Sequence, residues 1–135
     1  MEDCIFCKII KGKIPCKKVY EDNKILAFLD ISPINPGHTL VIPKKHFESI
    51  ERIPESLLCE LIKSVQKIAI AVTRAVSTDA FNINLNNGKA AGQLVPHMHF
   101  HIIPRFKNDG YEHWKGSSYK DKEMEIICEK IKKAL

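Results

Sequence analysis

The segment Pro96-His97-Met98-His99-Phe100-His101-Ile102 narrows the possible folds more than any other. Successive side chains of an extended chain point to opposite sides, so His97, His99 and His101 share one face and Met98, Phe100 and Ile102 the other. An alternating strand is expected over 95–103, stopped by Pro104. A second alternation over 80–86 puts Phe81, Ile83 and Leu85 on one face and Asn82, Asn84 and Asn86 on the other, the pattern of a half-buried strand. Between these two runs, Asn87-Gly88 and Gly92 mark a loop.

Upstream, Leu57, Leu58, Leu61, Ile62, Val65, Ile68, Ala69, Val72 and Val76 mark one face of a long helix, with Pro54 near its first turn. Before it come a short helical turn over 6–10 and a hairpin that turns at Asp22-Asn23 and continues over 24–29. The turn Asn35-Pro36-Gly37 follows, then a β-branched run over 39–42 closed by Pro43. A last helix over 121–135 is expected to bury Met124, Ile127, Cys128, Ile131 and Leu135. Strands, a helix, two more strands and a closing helix imply an antiparallel α+β sheet, not βαβ winding.

The chain has 135 residues, the size of one domain, 1–135. A hydrophobic share of 44% with 27% charged residues excludes disorder as the main state. No apolar run approaches the ~18 residues of a membrane span, and Met1-Glu2-Asp3-Cys4 lacks the order of a secretion signal. A cytoplasmic location with no membrane partner is therefore expected. Five cysteines, an odd number, favour thiols or metal ligands over a disulfide framework. The net charge of +5 hints at anionic ligands, but the lysines are scattered, so no dedicated nucleic-acid surface is expected.

Three alternating histidines suggest a metal site or chemistry on a phosphoryl or acyl group. One ion cannot hold all three, because a rise of ~3.3 Å per residue puts the Cα atoms of His97 and His101 ~13 Å apart. One imidazole can attack a phosphoryl or acyl centre while its neighbours stabilise charge and move protons near neutral pH. The preceding loop, Asn86-Asn87-Gly88-Lys89-Ala90-Ala91-Gly92-Gln93, combines glycines with amides suited to phosphate, though such a turn also serves as a plain hairpin connection. Cys4-x-x-Cys7 has no strand before it and does not fit a redox βαβ unit, so metal binding leads. Two thiolates need two further ligands to close a tetrahedron.

The stretch from Gly92 to Ile103, with its triad, resembles the histidine triad (HIT) family, in its Hint-like bacterial nucleotide phosphoramidase branch. Phe6-x-x-Ile9-Ile10, Ile14-Pro15, Val19-Tyr20-Glu21-Asp22, Ala27-Phe28-Leu29-Asp30-Ile31-Ser32-Pro33 and Gly37-His38-Thr39-Leu40-Val41-Ile42-Pro43-Lys44-Lys45-His46 resemble its pattern in the same order. The likeness covers a core of 4–106 and fades over the tail, 107–135. It implies a five-stranded antiparallel sheet with one long helix, dimerising into a continuous sheet. It implies a hydrolase acting on purine nucleoside 5′-phosphoramidates, with AMP or GMP as the retained part, through a nucleotidyl-histidine on His99.

By the same resemblance His101 and Gln93 complete the catalytic set, and Asn86 and Gln93 contact ribose and phosphate. Asp30 holds the ribose hydroxyls, or serves only as a strand-end cap. Phe6, Ile9, Phe28 and Ile31 form the base slot, or are ordinary core. One structural zinc per subunit is held by Cys4, Cys7, His46 and His97, while His38, His113, Cys16, Cys59 and Cys128 are non-ligands. Leu94 stands where many relatives carry a serine that donates to the phosphate, so one donor is absent. Asp109-Gly110 and Trp114-Lys115 resemble a tail that can border the partner subunit's site, and Trp114 itself has no assigned role. The alternatives are a dinucleoside polyphosphate hydrolase or nucleotidyl transferase, and a zinc-stabilised nucleotide-binding scaffold dimer.

Overall fold

A computed structural model describes residues 3–135. Its elements run α1 (Ile5–Ile10), β1 (Lys18–Glu21), β2 (Ile25–Leu29), β3 (Thr39–Pro43), α2 (Glu55–Ala75), β4 (Ala80–Leu85), β5 (Phe100–Arg105) and α3 (Glu123–Ala134). The strands form one antiparallel sheet in the order β1-β2-β3-β5-β4. The first hairpin turns where Asp22 Oδ1 accepts from the backbone N–H of Lys24 and of Ile25, each at 2.8 Å, which replaces the ladder bonds the turn cannot make.

Strands β2 and β3 are apolar almost throughout because the sheet is covered on both faces. On one face α2 packs Leu61, Val65, Ile68, Ala69 and Val72 against Ile25, Ala27, Val41, Met98, Phe100 and Ile102. On the other, α1 brings Cys4, Phe6 and Ile9 onto Leu26, Phe28, Leu40 and Ile42. Pro54 is the N-cap of α2, so its missing N–H costs no helical bond. Ile62 departs from the expected stripe and is exposed, since it sits off the edge of the buried arc. Among the described residues, no helix is long and apolar enough to cross a membrane.

Three expectations need correction. The expected strand over 95–103 pairs only from Phe100, and it continues through Pro104 to Arg105. Residues 95–99 lie beyond the ends of both neighbours' ladders, where other bonds hold the chain, such as Met98 N–H to the Phe47 carbonyl at 2.7 Å. Pro104 is tolerated because pairing with β3 ends at Ile102. On that side its carbonyl accepts from Asn35 Nδ2 at 2.9 Å. On β4, Phe81 and Ile83 remain 39% and 41% exposed, because this edge strand reaches past the cover of α2. Helix α3 buries no residue, and Met124, Ile131 and Leu135 are exposed, so its apolar face has no partner within the described chain.

Gly37 has φ +93°, and a Cβ there would lie 2.9 Å from Val76 Cγ1 and 3.2 Å from Pro104 Cγ. Strain and overpacking then act together, so Gly37→Ala is expected to cost about 2–4 kcal/mol of stability, read by denaturant unfolding. An unchanged unfolding midpoint would contradict this account of the turn.

Candidate functional site

The three histidines keep the alternation expected of them even though the ladder starts late. Their rings lie on the α1 side, with Phe6 edge-on to His97 at 5.8 Å and to His99 at 5.1 Å, while Met98, Phe100 and Ile102 face α2. His97 and His101 fall in two separate clusters of ligand atoms, as the ~13 Å spacing estimate requires, and His99 belongs to neither.

His97, fully buried, joins Cys4, Cys7 and His46, whose ligand atoms all lie within 4.8 Å of one another. Its Nε2–H donates to the Pro43 carbonyl at 2.8 Å, which leaves Nδ1 bare and turned to the thiols. The sulfur-to-nitrogen distances are 3.5 Å from Cys4 Sγ to His97 Nδ1, 3.7 Å from Cys7 Sγ to His97 Nδ1, and 3.4 Å from Cys7 Sγ to His46 Nδ1. A tetrahedral ion with bonds of ~2.3 Å to sulfur and ~2.05 Å to nitrogen sets these pairs about 3.6 Å apart. The cluster therefore fits a closed four-ligand metal site, with the Pro43 carbonyl fixing the tautomer of one ligand from outside. The Cys-x-x-Cys spacing works because Cys4 caps α1 and Cys7 follows one turn later, its N–H donating to Cys4 Sγ at 3.4 Å.

His99 is 6% exposed, and its Nδ1–H donates to the His97 carbonyl at 2.7 Å. Its Nε2 therefore carries the lone pair, and among the described residues nothing hydrogen-bonds to it. The His101 ring lies 4.8 Å away, and the buried His101 Nε2 has no partner. The outer histidine instead meets His38, with Nε2 of His38 2.9 Å from Nδ1 of His101. Asp30 Oδ2 stands 3.7 Å from the same His38 nitrogen, and Asp30 Oδ1 accepts from Ser32 N–H at 2.8 Å.

Burial disfavours the charged form of these rings, lowering His38 and His99 and bringing His101 to about 4, with His99 and His38 adding to the effect on His101. A histidine whose folded pKa lies below its unfolded value binds its proton preferentially in the unfolded chain. Its contribution to stability is therefore complete above about pH 6.5 and is lost as the pH falls towards 4. Stability measured across that window is expected to fall, and to fall less in His101→Asn. Equal slopes for the two proteins would contradict the burial of a neutral His101.

The other residues singled out from sequence divide clearly. Phe6, Ile9 and Phe28 are buried together, with Phe6 and Phe28 edge-to-face at 5.5 Å, while Ile31 is 94% exposed in the loop after β2 and belongs to no cluster. Gln93 is not free to meet a ligand here. Its Oε1 accepts from Gly88 N–H at 2.8 Å, and its Nε2 donates to the carbonyls of Glu48 at 2.7 Å and Val95 at 3.1 Å, so it braces the glycine loop. Asn86 follows β4 on the histidine face beside Gly92, and Leu94 is exposed. A cleft of about 500 Å³ adjoins that face of β4, lined by Asn82, Asn84, Asn86, Arg105 and tail residues that include Trp114. His38 was not expected in the site. The only local signal for it was its place directly before β3, beside Gly37.

The HIT domain family model matches residues 11–108. An uncharacterised HIT-like protein of Methanocaldococcus jannaschii is 51% identical over 129 residues, 96% of this chain and 98% of its own. Adenylylsulfatase HINT3 of Arabidopsis thaliana is 47% identical, covering 79% of this chain and 54% of its own. Adenosine 5′-monophosphoramidase hnt1 of Schizosaccharomyces pombe is 40% identical over 95% of each chain. Among solved structures, a HIT family protein of Bacillus subtilis superposes with a TM-score of 0.90 at 44% identity, covering 98% of this chain and 97% of its own. A zinc-bound histidine triad family protein of Mycobacterium smegmatis does so with a TM-score of 0.78 at 33% identity, over 99% of each. With the fold, the triad and these matches in agreement, the chain belongs to the HIT family.

Proposed function

We propose that the protein hydrolyses purine nucleoside 5′-phosphoramidates or related nucleotidyl compounds through a nucleotidyl-His99 intermediate. The observation that carries this reading is the tautomer of His99: Nδ1–H is committed to a backbone carbonyl, and Nε2, bare and without a partner among the described residues, is the nitrogen left to attack. In the first step that lone pair attacks the α-phosphorus, an N–P bond forms, the bond to the leaving amine breaks, and the amine departs with a proton taken from solvent, which the attacking water of the second step returns. Water then attacks the same phosphorus, the bond to His99 breaks, and the nucleotide leaves. His101 stands beside the attacking nitrogen, where a hydrogen-bond donor stabilises charge on the non-bridging oxygens, an effect of about 2.7–4 kcal/mol for one such donor.

The two named relatives support a shared nucleotidyl step, because one is an adenylylsulfatase and the other an adenosine monophosphoramidase: the adenylyl part is common and the leaving group differs. We place the base against Phe6 and Phe28 and the ribose hydroxyls at Asp30. Gln93 shapes the loop through its backbone bonds, and Asn86 lies between that loop and the cleft along β4. The Cys4, Cys7, His46 and His97 cluster is read as a structural zinc site, supported by its tetrahedral spacing and by the zinc-bound relative. With four protein ligands it would brace α1 against the end of the catalytic segment and supply no open position for water. Phe81 and Ile83, exposed on the free edge strand, support a homodimer joined through β4. Light scattering is then expected to read twice the 15.4 kDa chain mass.

The test of the activity is release of AMP from an adenosine 5′-phosphoramidate such as AMP-lysine. Turnover by the wild type supports the hydrolase. AMP binding without turnover of that compound or of adenylyl sulfate would sink it in favour of a nucleotide-binding protein.

A further inference from the structure

We propose that His38 is a positioning residue: it fixes the tautomer and ring orientation of His101, so that His101 presents a proton to the phosphoryl group and not a lone pair. The inference rests on the nucleotidyl-transfer reading of the triad and extends it to a fourth histidine, 63 residues away in sequence from the one it serves.

The assignment follows from one backbone amide. The Ile34 N–H points at His38 Nδ1 at 3.1 Å, and an amide can only donate, so Nδ1 holds a lone pair and the proton of the neutral ring is on Nε2. That Nε2–H faces His101 Nδ1 at 2.9 Å, so Nδ1 of His101 accepts and its own proton lies on Nε2. His101 Nε2 is the buried polar atom that has no partner within the described residues, next to the His99 ring. The relay Ile34 N–H, His38, His101 thus ends in a donor with nothing yet to donate to, where a phosphoryl oxygen would complete it.

Asp30, His38 and His101 also form a cluster whose ligand atoms lie close enough to suggest a metal. The same amide argues against that use. A neutral histidine that ligates through Nε2 carries its proton on Nδ1, and here Nδ1 faces an N–H donor. The groups that face His38 are therefore His101 as acceptor and the Asp30 carboxylate at 3.7 Å. Through them His38 joins the ribose side of the proposed site to its phosphate side.

The test combines imidazole ¹⁵N spectra of the wild type at neutral pH with the kinetics of two variants. The expected spectrum has a protonated Nε2 and a bare Nδ1 for both His38 and His101. His38→Leu removes the donor and is expected to lower kcat for AMP-lysine about 10- to 100-fold, the scale on which losing the outer hydrogen-bond partner of a metal-ligating histidine acts, with KM little changed. His38→Gln can accept from Ile34 N–H and donate to His101 at once, and is expected to restore most of the loss. A wild-type His101 protonated at Nδ1, a His38→Leu enzyme with wild-type kcat, or a His38→Gln enzyme as impaired as His38→Leu would each overturn the proposal. If the wild type hydrolyses no nucleotidyl compound, the hydrolase reading falls by itself, and the spectra still decide the tautomer of His101.

Discussion

His99→Ala is expected to lower kcat by about 10⁴-fold or more, the scale seen when a nucleophile is deleted from an enzyme that forms a covalent intermediate. The size follows from the division of labour around this ring. Its Nδ1–H is committed to the His97 carbonyl and its Nε2 is the nitrogen free to attack, whereas His101 Nδ1 is occupied by His38 and the bare Nδ1 of His97 faces the Cys4 and Cys7 thiols. AMP affinity should change little, because the proposed base and ribose contacts at Phe6, Phe28 and Asp30 lie on α1, on β2 and just after it. Replacing His101 removes a donor and not the nucleophile, so His101→Ala should cost less, about 10²- to 10³-fold. The two variants assayed on AMP-lysine, with AMP binding measured alongside, check the ranking. Equal losses in both would mean that His99 is not the group that forms the bond.

Loss of the metal is expected to have the largest effect on stability. Ligands that bind only the folded chain stabilise it by about 4 kcal/mol at a thousandfold excess over Kd. For a chain of this length that corresponds to a Tm drop of roughly 10–20 °C on chelation or in Cys4→Ser. The two cysteines sit at the start of α1 and the two histidines close to β3 and β5, so the ion would tie the N-terminal helix to the sheet. Phe6 lies between the cysteines in sequence and packs on His99 at 5.1 Å, so chelation should also weaken nucleotide binding. Metal analysis should find about one zinc per chain in the wild type and little in Cys4→Ser. Metal well below one per chain and unaffected by that substitution, with an unchanged Tm, would contradict the site.

Much of this was legible because the relevant signals are local. The Asp22 turn, the buried stripe of α2 from Leu61 to Val72, and the alternation that separates the histidines from Met98, Phe100 and Ile102 are each set by neighbours in the chain. The family resemblance supplied the metal set, whose four ligands the fold then brought together. Illegible features depend on distant partners. β5 begins at Phe100, opposite the last residue of β4, Leu85, although β3 runs on past Val41 to Pro43, and Pro104 is harmless because its pairing with β3 has already ended at Ile102. The apolar face of α3 shows that something should cover it without showing what. Gln93 has the chemistry of a phosphate contact, yet its amide is taken by Gly88, Glu48 and Val95, a competition visible only once the loop is folded. His38 was overlooked for the same reason, since its partner His101 lies two strands' worth of chain and a long helix away.

The most direct test of the covalent route is acid-quench trapping during a single turnover, with label in the α-phosphate of the substrate. The account expects transient label on the peptide that carries His99, absent in His99→Ala and decaying at the rate at which AMP appears. Turnover without a labelled protein species under conditions where the first step outpaces hydrolysis, or label on a residue other than His99, would contradict it.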